Sequence, residues 1–135
     1  MTLERAVRVA LVVGIVIDGF AGLLSLIAQP LLPVLLDVPV KDPAAVTLLG
    51  GELLVAAVIY TFPLRDPARF RPLLWLCALD QTLGVTLPGF EILHGHIPAT
   101  VKTLGPMPFQ LMLVALYVAG AVRPGAKRSA APFMQ

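Results

Sequence analysis

Three carboxylic acids stand alone inside long apolar runs of this sequence: Asp18, Glu52 and Asp80. An aspartate at the centre of a membrane helix costs roughly 2.5 to 3.5 kcal/mol. Acids in such positions therefore usually face the interior of a helix bundle, where they mark a ligand, an ion or a proton pathway. The three acids predict an interior polar site for a small lipophilic ligand.

Helical spacing indicates which residues share a face with these acids. In the first run, one face carries Gly14, Asp18, Gly22 and Ser25. In the third run, one face carries Cys77, Asp80, Gln81, Gly84 and Pro88, and the opposite face carries Leu76, Leu79, Leu83 and Leu87. Small residues allow close helix contacts and polar ones bond across them. We predict that Asp80 shares a pocket with Asp18 or Glu52, with Gln81 and Tyr117 as partners and Gln110 on the fourth helix nearby.

The same acids permit other interpretations. Each could be protonated or bonded to a neighbouring side chain, in which case it only holds the bundle together. A Glu52 and Asp80 pair could instead act as catalytic acid and base, as in double-bond isomerisation. A third alternative is a small proton-coupled exporter acting as a dimer, in which Asp18 exchanges a proton for a cationic drug.

Other reactive residue types give weaker signals. His94 and His96 with Glu91 have a spacing that could hold a metal ion or a haem, but loop histidines are more often solvated, so we predict no metal site. Cys77 is the only cysteine, which excludes an internal disulfide and predicts a small buried residue. Tyr60 and Trp75 are expected at the membrane interface. No sequence feature identifies a cofactor.

The elements that position these residues follow from composition. The chain is 58% hydrophobic and 13% charged, against roughly 25% charged residues in a soluble domain. A spanning helix needs about 20 apolar residues, and open strands cannot satisfy their backbone in lipid. The sequence therefore predicts an all-α, four-transmembrane-helix bundle over residues 1–123. The helices are expected at about 7–28, 46–62, 73–90 and 107–122, with the second ending before Pro63.

The first apolar run, with Arg5 and Arg8 before it, is too long for a signal-peptide core and is expected to be a retained helix. Eight of the ten Lys and Arg residues fall on one side of a four-pass topology. Only Lys41 and Lys102 fall on the other side. The positive-inside rule then predicts that both termini are cytoplasmic, in an integral membrane protein of the bacterial inner membrane. Residues 124–135 are expected to form a disordered cytoplasmic tail, and no basic patch indicates nucleic acid.

The stretch LLPVLLDVPVKDPAAVTLLGGELLVAAVIYTFPLRDPARFRPLLW, residues 31–75, resembles the central part of small DoxX-like bacterial membrane proteins. The shared features are a proline-bounded first helix, a glycine-initiated second helix and a basic, proline-containing hairpin, DPARFRP, that leads to a third helix. The resemblance covers roughly residues 5–122. It implies a four-helix fold and, because some relatives are associated with quinone-linked oxidoreductase complexes, docking on a larger membrane complex.

A second, fainter similarity is to four-helix sterol isomerases and sigma-two-receptor-like proteins, in which intramembrane acids surround a lipophilic amine or sterol. Glu52 and Asp80 would be the matching acids. From residues and resemblances together, we expect a non-enzymatic membrane binding or accessory protein. Its expected partners are the lipid bilayer, a lipophilic ligand, and either a second copy of the chain or a larger complex.

Overall fold

The computed structural model describes residues 2–122, and the regular structure of this part of the chain is entirely helical. The helices are α1 (Leu3–Ile27), α2 (Leu32–Leu36), α3 (Pro43–Arg65), α4 (Arg71–Leu93), α5 (Val101–Leu104) and α6 (Pro106–Val122), with a short 3-10 turn at Gln29–Leu31. Four segments are long and apolar enough to cross a membrane: α1, α3, α4, and α5 with α6. The prediction of four long apolar helices is confirmed. The predicted disordered tail lies outside the described residues.

Two of the long helices continue through prolines. α3 has 23 residues and contains Pro63, so the prediction that it ends before this proline is wrong. α4 likewise contains Pro88 and runs on to Leu93. Proline is tolerated in membrane helices because neighbouring groups satisfy the backbone that it frees. Pro63 lies in the last turn of α3, where the carbonyl of Leu64 accepts a hydrogen bond of 3.1 Å from the Arg8 side chain.

The four long helices form a bundle in which α1 lies between α3 and α6, and α6 packs on α4. Contacts between α3 and α4 are sparse by comparison, although only residues 66–70 separate them in sequence. The Arg8–Leu64 hydrogen bond places the start of α1 beside the end of α3. Gly120, near the end of α6, lies against Val7 and Leu74. The starts of α1 and α4 and the ends of α3 and α6 therefore share one end of the bundle.

The contact between α1 and α3 depends on two glycines. A Cβ atom added to Gly22 would lie 2.9 Å from the carbonyl oxygen of Gly50, and one added to Gly50 would lie 2.9 Å from the carbonyl oxygen of Gly22. Real Cβ atoms do not approach a backbone oxygen so closely. The two helices cross here backbone to backbone, as small residues at membrane-helix contacts allow.

The tightly packed core occupies only one half of the bundle. Its fully buried side chains come from the first third of α1, the second half of α3, the start of α4 and the second half of α6. They are Val7, Ala10, Leu11, Tyr60, Leu74, Cys77, Ala78, Leu113 and Tyr117. Cys77 is completely buried, as predicted. The other half of the bundle is more open, and the polar residues lie where the two halves meet.

At the end of the bundle away from the packed core, hydrogen bonds link the connection between α1 and α3 to the connection between α4 and α6. The Thr100 hydroxyl donates to Asp37 Oδ2 at 2.8 Å, and Lys102 Nζ donates to Asp37 Oδ1 at 3.2 Å and to the Val34 carbonyl at 2.8 Å. These bonds join α2 to α5 across the end of the bundle. The pKa of Asp37 lies below its usual value, because Thr100 and Lys102 both donate hydrogen bonds to its carboxylate. The bond from Thr100 has the larger effect. Asp37 is therefore a carboxylate at neutral pH.

The outer face of α4 is the one that the leucine spacing predicted. Its four leucines are 44 to 58% exposed: Leu76, Leu79, Leu83 and Leu87. The other long helices also present large apolar side chains outward. A surface so rich in exposed apolar side chains is suited to lipid rather than to water.

Candidate functional site

Asp18 is held inside the bundle by the small residues of its own helix. The buried residues of α1 include Gly14, Asp18, Gly22 and Ser25, the face predicted from their spacing. Asp18 itself is 4% exposed. Because the flanking glycines admit α3 closely, the Asp18 carboxylate is covered by neighbouring helices rather than by lipid.

Asp80 enters the same region from α4 and is bound by a tyrosine of α3. Tyr60 Oη donates a hydrogen bond of 2.6 Å to Asp80 Oδ2. Tyr60 is 1% exposed, whereas Asp80 is half-buried. This hydrogen bond fixes the side chain of Asp80 against α3.

Gln81 connects the two acids. Its Nε2 lies 3.3 and 3.4 Å from the oxygens of Asp18, 3.4 Å from Asp80 Oδ2 and 3.1 Å from Tyr60 Oη. One amide nitrogen therefore brings together side chains from α1, α3 and α4. We call Asp18, Tyr60, Asp80 and Gln81 the polar cluster.

Acceptors outnumber donors in the polar cluster. The Gln81 amide supplies two N–H groups and the Tyr60 hydroxyl supplies one O–H. Four carboxylate oxygens and Gln81 Oε1 could accept, and the buried Oε1 has no hydrogen-bond partner. Leaving a buried polar atom unpaired costs about 1 to 3 kcal/mol. The cluster is therefore suited to a proton, or to a ligand that brings further donors.

An interior cavity of about 340 Å³ adjoins the polar cluster on the open side of the bundle. Asp18, Asp80 and Gln81 are on its wall, and the remainder is mainly apolar. The other lining residues are Ile17, Ala21, Leu49, Glu52, Leu53, Leu83, Gly84, Leu87, Pro88 and Gln110. No lysine, arginine or histidine of residues 2–122 is among them, so no protein cation neutralises the acids.

A second cavity, of about 580 Å³, lies in the gap between α3 and α4. We call it the α3–α4 groove. Its lining is Leu48, Gly51, Glu52, Val55, Ala56, Ile59, Tyr60, Leu76 and Asp80. Glu52 and Asp80 belong to both cavities. These two acids therefore lie on the boundary between the two spaces.

The third predicted acid is not buried with the other two. Glu52 is exposed, and its carboxylate makes no hydrogen bond or ion pair with any residue in 2–122. The face of α3 that packs inward is marked by Gly50 and Ala57. Glu52 is two residues beyond Gly50, about 200° around a helix that turns 100° per residue. It borders both cavities from the side and is not part of the polar cluster.

The two predicted residues of α6 behave differently. Gln110 lies against Gly84, since a Cβ on that glycine would be 2.7 Å from Gln110 Nε2, and it lines the interior cavity. Tyr117 is buried, but its hydroxyl donates to the Ala10 carbonyl at 2.7 Å. The prediction that Tyr117 binds Asp80 is therefore wrong. Its hydroxyl instead satisfies a backbone carbonyl of α1.

Tyr60, rather than Tyr117, donates the hydrogen bond to Asp80. The sequence analysis did not predict this contact, because it placed Tyr60 at the membrane interface. Its ring packs edge-on against that of Tyr117, with centroids 5.8 Å apart. The signal that would have found it is helical spacing on α3, because Tyr60 is three residues after Ala57 and ten after Gly50. These three residues share the buried face.

The histidines lie apart from the polar cluster. His96 Nδ1 is 2.8 Å from Glu91 Oε2 and both side chains are exposed, while His94 Nδ1 is 2.9 Å from the Phe90 carbonyl. Over the described residues, no three His, Cys, Asp or Glu side chains are arranged to hold a metal ion. The alternative metal site at Glu91, His94 and His96 is therefore not formed.

Acid–base catalysis by Glu52 and Asp80 stays a prediction. Both carboxylates border the same cavities, but only Asp80 is positioned by hydrogen bonds. No family model, curated protein or solved structure matches the chain.

Proposed function

We propose that the protein is a non-enzymatic membrane protein that binds a small lipophilic molecule, whose polar end donates hydrogen bonds to the polar cluster. The observation that supports this most strongly is the excess of acceptors in Asp18, Asp80 and Gln81, on the wall of a mainly apolar cavity. Small-molecule sites are typically apolar clefts of about 300 to 1,000 Å³ with a few polar groups that orient the ligand. The interior cavity has this size and character.

The ligand's polar end is expected to be an amine or an alcohol rather than an acid. A cationic or hydroxyl donor would pair with the carboxylates on the cavity wall. A carboxylate ligand would add a third negative charge to a site without cations. The rest of the ligand would pack against the apolar wall through van der Waals contacts.

The test is a matched series of probes: octylamine, octanol, octane and octanoate, each added to the purified protein in lipid nanodiscs. Octylamine and octanol should raise the midpoint of thermal unfolding, since a ligand at 100 times its Kd stabilises the folded state by about 2.7 kcal/mol. Octane and octanoate should raise it much less. An equal effect of all four probes, or none from any, would overturn the proposal.

The DoxX-like resemblance and the expected docking on a larger complex or a second copy stay predictions. They are compatible with a binding role, because an accessory subunit can hold the ligand that its partner uses. The exposed apolar surface of the bundle could face either lipid or a partner helix.

We further propose that both termini are cytoplasmic in the bacterial inner membrane. The bundle supports this by collecting Arg5, Arg8, Arg65, Arg69 and Arg71 at one end, while Lys41 and Lys102 lie in the connections at the other. Reporter fusions at each terminus should therefore be active only on the cytoplasmic side. Periplasmic activity of both fusions would reverse the orientation.

A further inference from the structure

The gap between α3 and α4 divides into two parts of different character. In the packed half, Tyr60 of α3 reaches across to Asp80 of α4. The α3–α4 groove lies beside this contact, lined by residues of α3 between Leu48 and Tyr60 and by Leu76 and Asp80 of α4. The groove faces the surroundings of the bundle, so in a membrane it would open to the acyl chains rather than to water.

The two ends of the bundle differ in packing. At one end, the core places Leu11, Leu74 and Tyr117 beside the polar cluster, each fully buried. At the other end, the bonds from Thr100 and Lys102 to Asp37 link the two connections. The α3–α4 groove lies on the side of the bundle and has Asp80 on its wall.

Gly51 is the residue that keeps the groove unfilled. A Cβ added at this position would meet nothing within 4 Å, although the position lines the groove. Its neighbour Gly50 lies about 100° around the helix and is tightly packed against α1. The two adjacent glycines thus have different surroundings, one closing a helix contact and the other bordering an open space.

We propose that the α3–α4 groove is a lateral entrance and hydrocarbon subsite, through which a bilayer-dissolved amphiphile brings its donor group to Asp80. This inference rests on the proposed function and narrows its ligand class to molecules that partition into the membrane first. The aliphatic part would lie along Leu48, Val55 and Leu76, while the polar end passes between Glu52 and Asp80 into the interior cavity.

The test uses dicyclohexylcarbodiimide, a lipid-soluble reagent for carboxylic acids, on the full chain in lipid nanodiscs. The acid's proton adds to a nitrogen of the carbodiimide and its oxygen to the central carbon. The acyl group then migrates to nitrogen, giving a stable N-acylurea, and nothing leaves. Peptide mass mapping gives the rate at which Asp80 is modified. A charged, water-soluble carbodiimide tests the aqueous route under the same conditions.

Two glycine variants provide the matched comparison. Gly51→Leu places a side chain in the groove, and modification of Asp80 should slow at least about tenfold, because packed side chains must be displaced to reopen it. Gly89→Leu adds the same side chain on α4 at a position that also meets nothing within 4 Å but lines neither cavity. It should leave the rate unchanged.

A third variant tests the opposite change in the groove, because misfolding alone could alter the modification rate of Gly51→Leu. Leu76→Ala removes a half-exposed side chain from the groove wall and should make modification faster. If dicyclohexylcarbodiimide modifies Asp80 at equal rates in wild type, Gly51→Leu and Leu76→Ala, the groove is not the entrance. Faster modification of Asp80 by the water-soluble reagent would also contradict the proposal. The octylamine series tests the proposed function separately, since it measures ligand binding at equilibrium and does not depend on the route by which the ligand enters.

Discussion

Asp80→Asn is expected to weaken octylamine binding by about 10- to 100-fold, because hydrogen bonds to charged groups contribute about 1.5 to 3 kcal/mol. Asparagine keeps the size of the side chain but removes its charge. The Tyr60 hydroxyl can still donate to the new amide oxygen, so the packing around Tyr60 should persist. The loss should therefore appear in the octylamine-dependent shift of thermal unfolding, while the unfolding midpoint without ligand changes little.

Glu91→Gln is the matched control for this substitution. Glu91 is also a carboxylate of α4, but it is exposed, pairs with His96 and lines neither cavity. It should leave octylamine binding intact. If Asp80→Asn binds octylamine as tightly as the wild type, the acid is structural only. If Glu91→Gln loses as much binding as Asp80→Asn, the effect is one of overall charge.

Replacing each of two adjacent glycines with alanine should change the free energy of unfolding in opposite directions. Gly50→Ala is expected to destabilise the fold by about 1 to 3 kcal/mol, the usual cost of overpacking a close contact. Its new methyl group would meet the Gly22 carbonyl oxygen at 2.9 Å, and this backbone atom can move only if α1 and α3 separate. Gly51→Ala is expected to stabilise by about 0.5 to 1 kcal/mol, because alanine loses less backbone freedom in a helix.

The measurement is the free energy of unfolding of both variants in the same bilayer mimetic. The comparison is internal, since the two substitutions are chemically identical and one residue apart on α3. Similar changes in the two variants would show that α1 and α3 do not cross at Gly50. The same result would remove the close contact that keeps Asp18 covered.

Much of the fold was predictable because a membrane permits few backbone solutions. Four long apolar segments must form helices in lipid, and helical spacing then places Asp18 with Gly14 and Gly22 on a buried face. The same reasoning turns the leucines of α4 outward. Helix ends were less predictable. Pro63 lies inside α3, in its last turn, because a proline there removes only one backbone hydrogen bond and the helix ends two residues later.

The sequence by itself determined the four helices, the outward leucine face of α4 and the burial of Asp18, because these depend on hydropathy and on a spacing of 3.6 residues per turn. Only the tertiary structure decided which polar groups meet. Tyr60 rather than Tyr117 binds Asp80, and Glu52 borders the cavities without joining the polar cluster. These pairings depend on the order and crossing of the helices. Periodicity fixes the face of each helix, whereas the neighbour of that face is set by packing between residues far apart in the chain.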